Sequence, residues 1–105
     1  MPARSRSSKG FVGILVAELH FPENGSLKGK RMYLRRVRDQ VTRRFGAAFA
    51  EVGYQDLWQR SKVLLVVASS DLQVLEGTMA RMREYLDGQE WVLTSCEAEV
   101  VDVDA

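Results

Sequence analysis

The chain has 105 residues, 46% of them hydrophobic and 28% charged, which suits one compact domain and excludes both two independent cores and disorder throughout. Fifteen Lys and Arg against fourteen Asp and Glu leave a formal net charge of +1, so an electrostatic partner must be sought in how charge is distributed, not in its sum. One cysteine and one histidine exclude an intramolecular disulfide and a zinc-type ligand set; no metal or cofactor is expected, and a reducing cytoplasm is the expected location.

Residues 1–10, with Arg4, Arg6 and Lys9 among serines, read as a flexible basic tail ahead of a single domain over 11–105. The apolar run from Phe11 to Ala17 imitates a secretory signal. Glu18 and His20 interrupt it, however, no small-residue cleavage site follows, and about 20 apolar residues would be needed to cross a membrane. From Phe11 to Phe21 apolar residues occupy both alternating faces, and Pro22, Asn24 and Gly25 end the run, which describes a central strand. Ser26 then caps a helix in which Leu27, Leu34, Val37, Val41 and Phe45 recur at helical spacing, with Gly46 placed to end it. Ala47 to Tyr54 reads as a second strand, Gln55 and Asp56 mark a turn, and Lys62 to Ser69 is a β-branched third strand that can pair with the second. Ser70 or Asp71 opens a second helix with a stripe of Leu72, Leu75, Met79, Met82 and Leu86 and a stop at Gly88. Trp91 to Val103 closes the chain as an edge strand in which Glu97, Glu99 and Asp102 alternate with Ala98, Val100 and Val101. The order β-α-β-β-α-β predicts a ferredoxin-like α+β sandwich, a four-stranded antiparallel sheet with both helices on one face.

Charge is strongly segregated along this order. Lys28, Lys30, Arg31, Arg35, Arg36, Arg38, Arg43 and Arg44 face a single acid, Asp39, in the first helix, whereas no Lys or Arg follows Glu84 in the acidic C-terminal part. At about 100° per residue Lys28, Arg31, Arg35 and Arg38 share one narrow sector beside the apolar stripe. Forked guanidinium donors match phosphate oxygens, so this row predicts salt-sensitive, sequence-tolerant binding of structured RNA, with Lys30, Arg36 and Arg43 as further contacts. The competing reading is a solvated face whose bases pair with acids elsewhere in the fold. The third strand carries no aromatic residue and no RNP-like pattern is present, so nucleic acid is expected on the helix side and not on the sheet.

Two helices can cover only one side of a sheet whose first and third strands are apolar on both. The other side is therefore expected to pair with a second copy, giving a homodimer, unless the loop Gly53 to Arg60 folds over it. Tyr54, Leu57 and Trp58 in that loop suit an aromatic anchor, which supports an alternative: a protein-interaction or small-anion module whose basic helix meets an acidic partner. Catalytic residues are not evident. His20 lacks a nucleophile beside it, and Cys96 reads as a small buried hydrophobe. A hydrolase or transferase built on His20 and Glu51 would require the two to meet in the fold. The stretch GSLKGK from Gly25 to Lys30 lacks the spacing of a phosphate loop, leaving at most an anion held at the helix start by Lys28 and Lys30.

The stretches VGILVAELHFPENGSLKGKRMYLRRVRDQVTRRF and AEVGYQDLWQRSKVLLVVASSD resemble those of the small bacterial YlxP-like proteins, the domain of unknown function 503, with SLKGKR and QDLWQR the most specific parts. The resemblance covers Phe11 to Val103 and implies a ferredoxin-like fold. It also implies a role around RNA or the ribosome, because genes of this family commonly sit among those for transcription and translation factors, near a ribosome-binding factor. No catalytic residue is implied. Gly29 stands where similar proteins often carry Glu, so the acid of a capping box is missing.

Overall fold

The computed structural model describes residues 8–103. Its elements are β1 (Phe11–His20), α1 (Leu27–Phe45), β2 (Ala48–Gly53), β3 (Arg60–Ser69), α2 (Leu72–Asp87) and β4 (Val92–Asp102). The strands form one antiparallel sheet in the order β2-β3-β1-β4, with β1 paired to both β3 and β4. This is the ferredoxin-like sandwich, with the two crossover helices on the same face. Residues 1–7 of the expected basic tail lie outside the described residues; at its end the Gly10 carbonyl accepts from the Val103 amide at 2.8 Å.

Local chemistry sets the helix ends where the sequence places them. Ser26 is extended (φ −159°, ψ 157°) and its hydroxyl accepts from the Gly29 amide at 2.9 Å, satisfying one of the open donors of α1. Gly46 takes the left-handed conformation at φ 66°, and the Gly46 and Ala47 amides return to the carbonyls of Thr42 and Val41. Asp71 caps α2 by accepting from Val74 N at 3.0 Å. The third strand begins at Arg60, two residues before the sequence expectation, because Arg60 pairs with His20 across the sheet.

The core lies between the sheet and the helices. Leu15, Ala17 and Leu19 of β1 and Val63, Leu65 and Val67 of β3 face Leu34, Val37 and Val41 of α1 and Leu75, Met79, Met82 and Leu86 of α2. Fully burying a Leu or Val side chain contributes about 1.5–3 kcal/mol, so this layer carries the fold. Gly13 in β1 makes the approach of α2 possible: a Cβ there would lie 2.5 Å from Met79 Sδ. Phe21 stacks on Tyr33 at 4.9 Å, and the indole of Trp91 meets both edge-on while donating to the Leu86 carbonyl at 2.9 Å. That cluster closes the end of the core beneath α1.

On the opposite face, Ile14 and Val16 of β1 and Leu64 and Val66 of β3 remain partly exposed, flanked by Ala48 and Ala50 of β2. Lys62 and the carboxylates of Glu97 and Glu99 border them. The β2–β3 loop meets this face only at its end, where Leu57 and Trp58 approach His20; it does not cover the aliphatic centre.

Candidate nucleic-acid interface

The basic residues of α1 separate into three groups. Lys28, Arg31, Arg35 and Arg43 are exposed, and among the described residues none has a carboxylate within ion-pairing distance. Arg38 is exposed as well, its contact with the adjacent Asp39 being a long 3.9 Å between side chains about half exposed, which is worth little. Arg31, Arg35 and Arg38 edge a groove of about 320 Å³ between α1 and the edge strand β2, lined also by Leu34, Phe49, Ala50 and the carboxylate-bearing Glu51, whose charge is paired with Lys30. Arg36 is partly engaged: its guanidinium pairs with Glu90 at 2.6 Å and lies over the Tyr33 ring. Arg44 lies over Phe45 and Tyr85 and is drawn to the core edge. Tyr85 there has its phenol pushed above the ordinary value by burial, with the charges of Arg44 and Arg36 opposing.

Lys30 departs from the sequence expectation. It is 2% exposed, and its ammonium donates to the carbonyls of Tyr54 at 2.8 Å, Gln55 at 3.2 Å and Arg60 at 3.2 Å while pairing with Glu51 Oε2 at 3.0 Å. It faces inward and is not part of an exposed phosphate surface. The anion site suggested for the start of α1 loses Lys30 for the same reason, and the Gly29 amide there is already taken by Ser26. The physical cause is register: counting 27, 30, 34, 37, 41, 45, Lys30 occupies a position of the buried stripe, where a four-carbon stem can lie among apolar groups only if its head is fully bonded.

Around this lysine a polar staple joins the β1–α1 turn to the β2–β3 loop. Asn24, itself buried, donates from Nδ2 to the carbonyls of Ser26 at 2.7 Å and Trp58 at 2.6 Å. Gln59 Nε2 donates to the carbonyls of Pro22 and Asn24, and the Phe21 amide to that of Gln59. Glu51 accepts from the Ser61 hydroxyl at 2.7 Å in addition to Lys30. Among the described residues no buried side-chain nitrogen or oxygen lacks a partner. The loop is thus held at the carbonyls of Tyr54, Gln55, Trp58, Gln59 and Arg60, while Tyr54, Leu57 and Trp58 keep their side chains exposed. Tyr54 sits at φ 58°, an uncommon conformation for a non-glycine residue, and this turns its carbonyl toward Lys30.

The fold does not bring together His20 and Glu51. His20 pairs with Arg60 on the outer side of the sheet, beside Asp56 in a surface pocket, whereas Glu51 points to the helix side and is tied to Lys30 and Ser61. Cys96 is half-buried and its thiol is pushed above the ordinary value, chiefly by burial.

The model of the family described as "Protein of unknown function (DUF503)" matches residues 12–104. The chain belongs to that family. The uncharacterised protein YlxP of Bacillus subtilis (strain 168) is 33% identical to it over 76 residues, which cover 72% of this chain and 83% of that protein. Two solved structures are similar in outline. One is described as an antibiotic biosynthesis monooxygenase from Bacillus cereus, with 9% identity, TM-score 0.48, and coverage of 92% of this chain and 95% of the other. The second is the de novo designed protein Foldit4, with 16% identity, TM-score 0.45, and coverage of 90% and 98%.

For this DUF503 chain the two stretches most specific to the resemblance, SLKGKR and QDLWQR, meet in the staple. Their Lys30, Trp58, Gln59 and Arg60 hold the turn and loop together, so these motifs carry architecture as well as surface. Gly29 also finds its reason here: a Cβ at that position would run into Asn24 Oδ1, so the missing capping acid and the buried asparagine are two sides of one choice.

Proposed function

We propose that this DUF503 protein is a non-enzymatic cytoplasmic domain that docks on structured RNA, ribosomal RNA foremost, through Lys28, Arg31, Arg35, Arg38 and Arg43. The observation that carries the reading is that these five cations stand exposed along one helix and, among the described residues, none has a carboxylate within ion-pairing distance apart from the long Arg38–Asp39 contact; of the acids of the C-terminal part, Glu90 reaches α1, and it pairs with Arg36. Such a row, about 1.5 Å per residue along the axis, matches a run of phosphates and not a single anion. The groove between α1 and β2 adds forked donors on one wall and the half-buried Phe49 on its floor, and its one carboxylate, Glu51, is already paired with Lys30. In this reading two copies pair through the partly exposed aliphatic centre of the sheet, leaving both basic helices facing outward.

Cosedimentation with purified ribosomal subunits over a series of salt concentrations tests the reading. Binding that weakens steeply with salt, and that Arg31→Glu with Arg35→Glu abolishes, supports it. Subunits that never carry the protein down at low salt contradict it.

A further inference from the structure

The outer face of the sheet carries charges with no partner in their own chain. Lys62 of β3 and Glu97 and Glu99 of β4 border the aliphatic centre formed by Ile14, Val16, Leu64 and Val66, and among the described residues none of the three makes an ion pair. They do not meet because β1 lies between their strands, and the Lys62 stem runs beside Gly53, toward β2 and away from β4. One flank of the face is thus cationic at Lys62 and small at Ala48 and Ala50, and the opposite flank is anionic. A surface whose two flanks complement each other is complementary to a second copy of itself.

The area of this face is sufficient for such a pair. At about 4.8 Å between strands and about 3.3 Å per residue, four strands whose two central members have 10 residues present about 600 Å² in projection, so a pair buries about 1,200 Å², where specific interfaces begin. Packed sheets keep their strands nearly aligned, which leaves two choices of two-fold axis. An axis across the strands lays β4 on β4 and sets the carboxylates of Glu97 and Glu99 in the two copies against one another. An axis along the strands, between β1 and β3, lays β4 of one copy on β2 of the other: Glu97 then lies over the small Ala50, within reach of the Lys62 beside it. The same axis keeps each rung of the sheet at its own level. Val92, which pairs with His20 and is 50% exposed, therefore comes over the other copy's β2–β3 loop, where Trp58 is 55% exposed and opens with Leu57 onto a pocket of about 390 Å³.

We infer that a second copy of this chain seats on the outer face about a two-fold axis along the strands, with Lys62 of each copy against Glu97 of the other and Trp58 of each against Val92. The inference rests on the pairing through the sheet proposed above and deepens it. It uses no residue of α1, so the docking of RNA and this arrangement stand or fall separately.

Sedimentation equilibrium in the absence of RNA tests it on the wild type, Lys62→Glu, Glu97→Lys and the double exchange, with a thermal melt to verify that each folds. The wild type is expected to be dimeric at about 50 µM. Each single reversal places like charges together twice in the interface and should weaken the dimer at least about tenfold, and the double exchange should return it to near the wild-type affinity. On dilution through dissociation tryptophan emission should move to longer wavelength, because Trp91 is buried within the chain and only Trp58 gains water; Trp58→Ala should weaken the dimer and abolish the shift. A dimer that neither reversal weakens, or that the double exchange fails to restore, overturns the axis and leaves pairing through the sheet standing. An emission unmoved by dissociation overturns the seat of Trp58. A wild type monomeric at that concentration overturns the pairing and the arrangement together.

Discussion

Replacing Lys30 by methionine keeps the length of an apolar stem and removes the ammonium from a site 2% exposed to water. The change deletes three hydrogen bonds to carbonyls at 2.8–3.2 Å and an ion pair at 3.0 Å. Breaking a buried pair costs about 3–5 kcal/mol, because the partners left behind are dehydrated and unpaired. Glu51 retains the Ser61 hydroxyl and is 21% exposed, which puts the expected cost at the lower end, about 3 kcal/mol. For a domain of this size that is a fall in Tm of about 10–15 °C. Lys28→Met, on the same turn but exposed, serves as the control and should change stability by less than about 0.5 kcal/mol. Urea unfolding followed by circular dichroism measures both, and a double-mutant cycle with Glu51→Gln should give a coupling of about 1–3 kcal/mol. Amide exchange at residues 54–60 should speed up in Lys30→Met more than in the rest of the sheet. If Lys30→Met and Lys28→Met unfold within 0.5 kcal/mol of each other, judged against the scatter of surface substitutions, the staple does not hold the loop.

Three further outcomes follow from the same geometry. Gly29→Ala improves intrinsic helix propensity by about 1 kcal/mol but displaces Asn24 from two short hydrogen bonds, so a net loss of about 1–2 kcal/mol is expected, turning into a gain when Asn24→Gly is already present; chemical denaturation of the four proteins decides. Leu64→Glu or Val66→Glu, on the partly exposed outer face, should convert a dimer to a folded monomer in light scattering, and a wild-type protein already monomeric at tens of micromolar (roughly the range where a stable dimer persists) would remove the dimer. Burial raises the Cys96 thiol above its ordinary value, so less thiolate is present at any pH below it and reaction with a disulfide reagent at pH near 8 should be slower than for free cysteine; an equal rate would place the thiol in water.

Local signals in the chain were sufficient for the architecture. Ser26, Gly46, Asp71 and Gly88 stand at the observed helix ends, and the two-faced apolar pattern of β1 and β3 describes the two central strands. Each is a short-range effect: a cap, a left-handed stop, or an alternation of period two. Lys30 lies inward because helical position outweighs residue type: the stripe through 27, 30, 34, 37 and 41 includes it, and Glu51 shares a face of β2 with Phe49. Asn24 and Gln59 carried no comparable signal for their long-range bonds, since the Trp58, Pro22 and Asn24 carbonyls they reach lie about 35 residues away and such pairings follow only from the packed topology. The row of Arg31, Arg35 and Arg38 was legible from helical periodicity, but its neighbouring groove was not, because that depends on β2 being an edge strand next to α1.

The central claim is that the exposed row on α1 is there for an outside polyanion. Its most direct test is the salt dependence of affinity for a structured RNA, measured by anisotropy for the wild type and for Arg31→Glu with Arg35→Glu. Four or five phosphate contacts predict that log K falls with log salt at a slope of about −3 to −4, a loss of roughly a hundredfold between 50 and 200 mM, and that the variant flattens the slope by about 2. An affinity indifferent to salt, or a variant with the wild-type slope, would contradict the account.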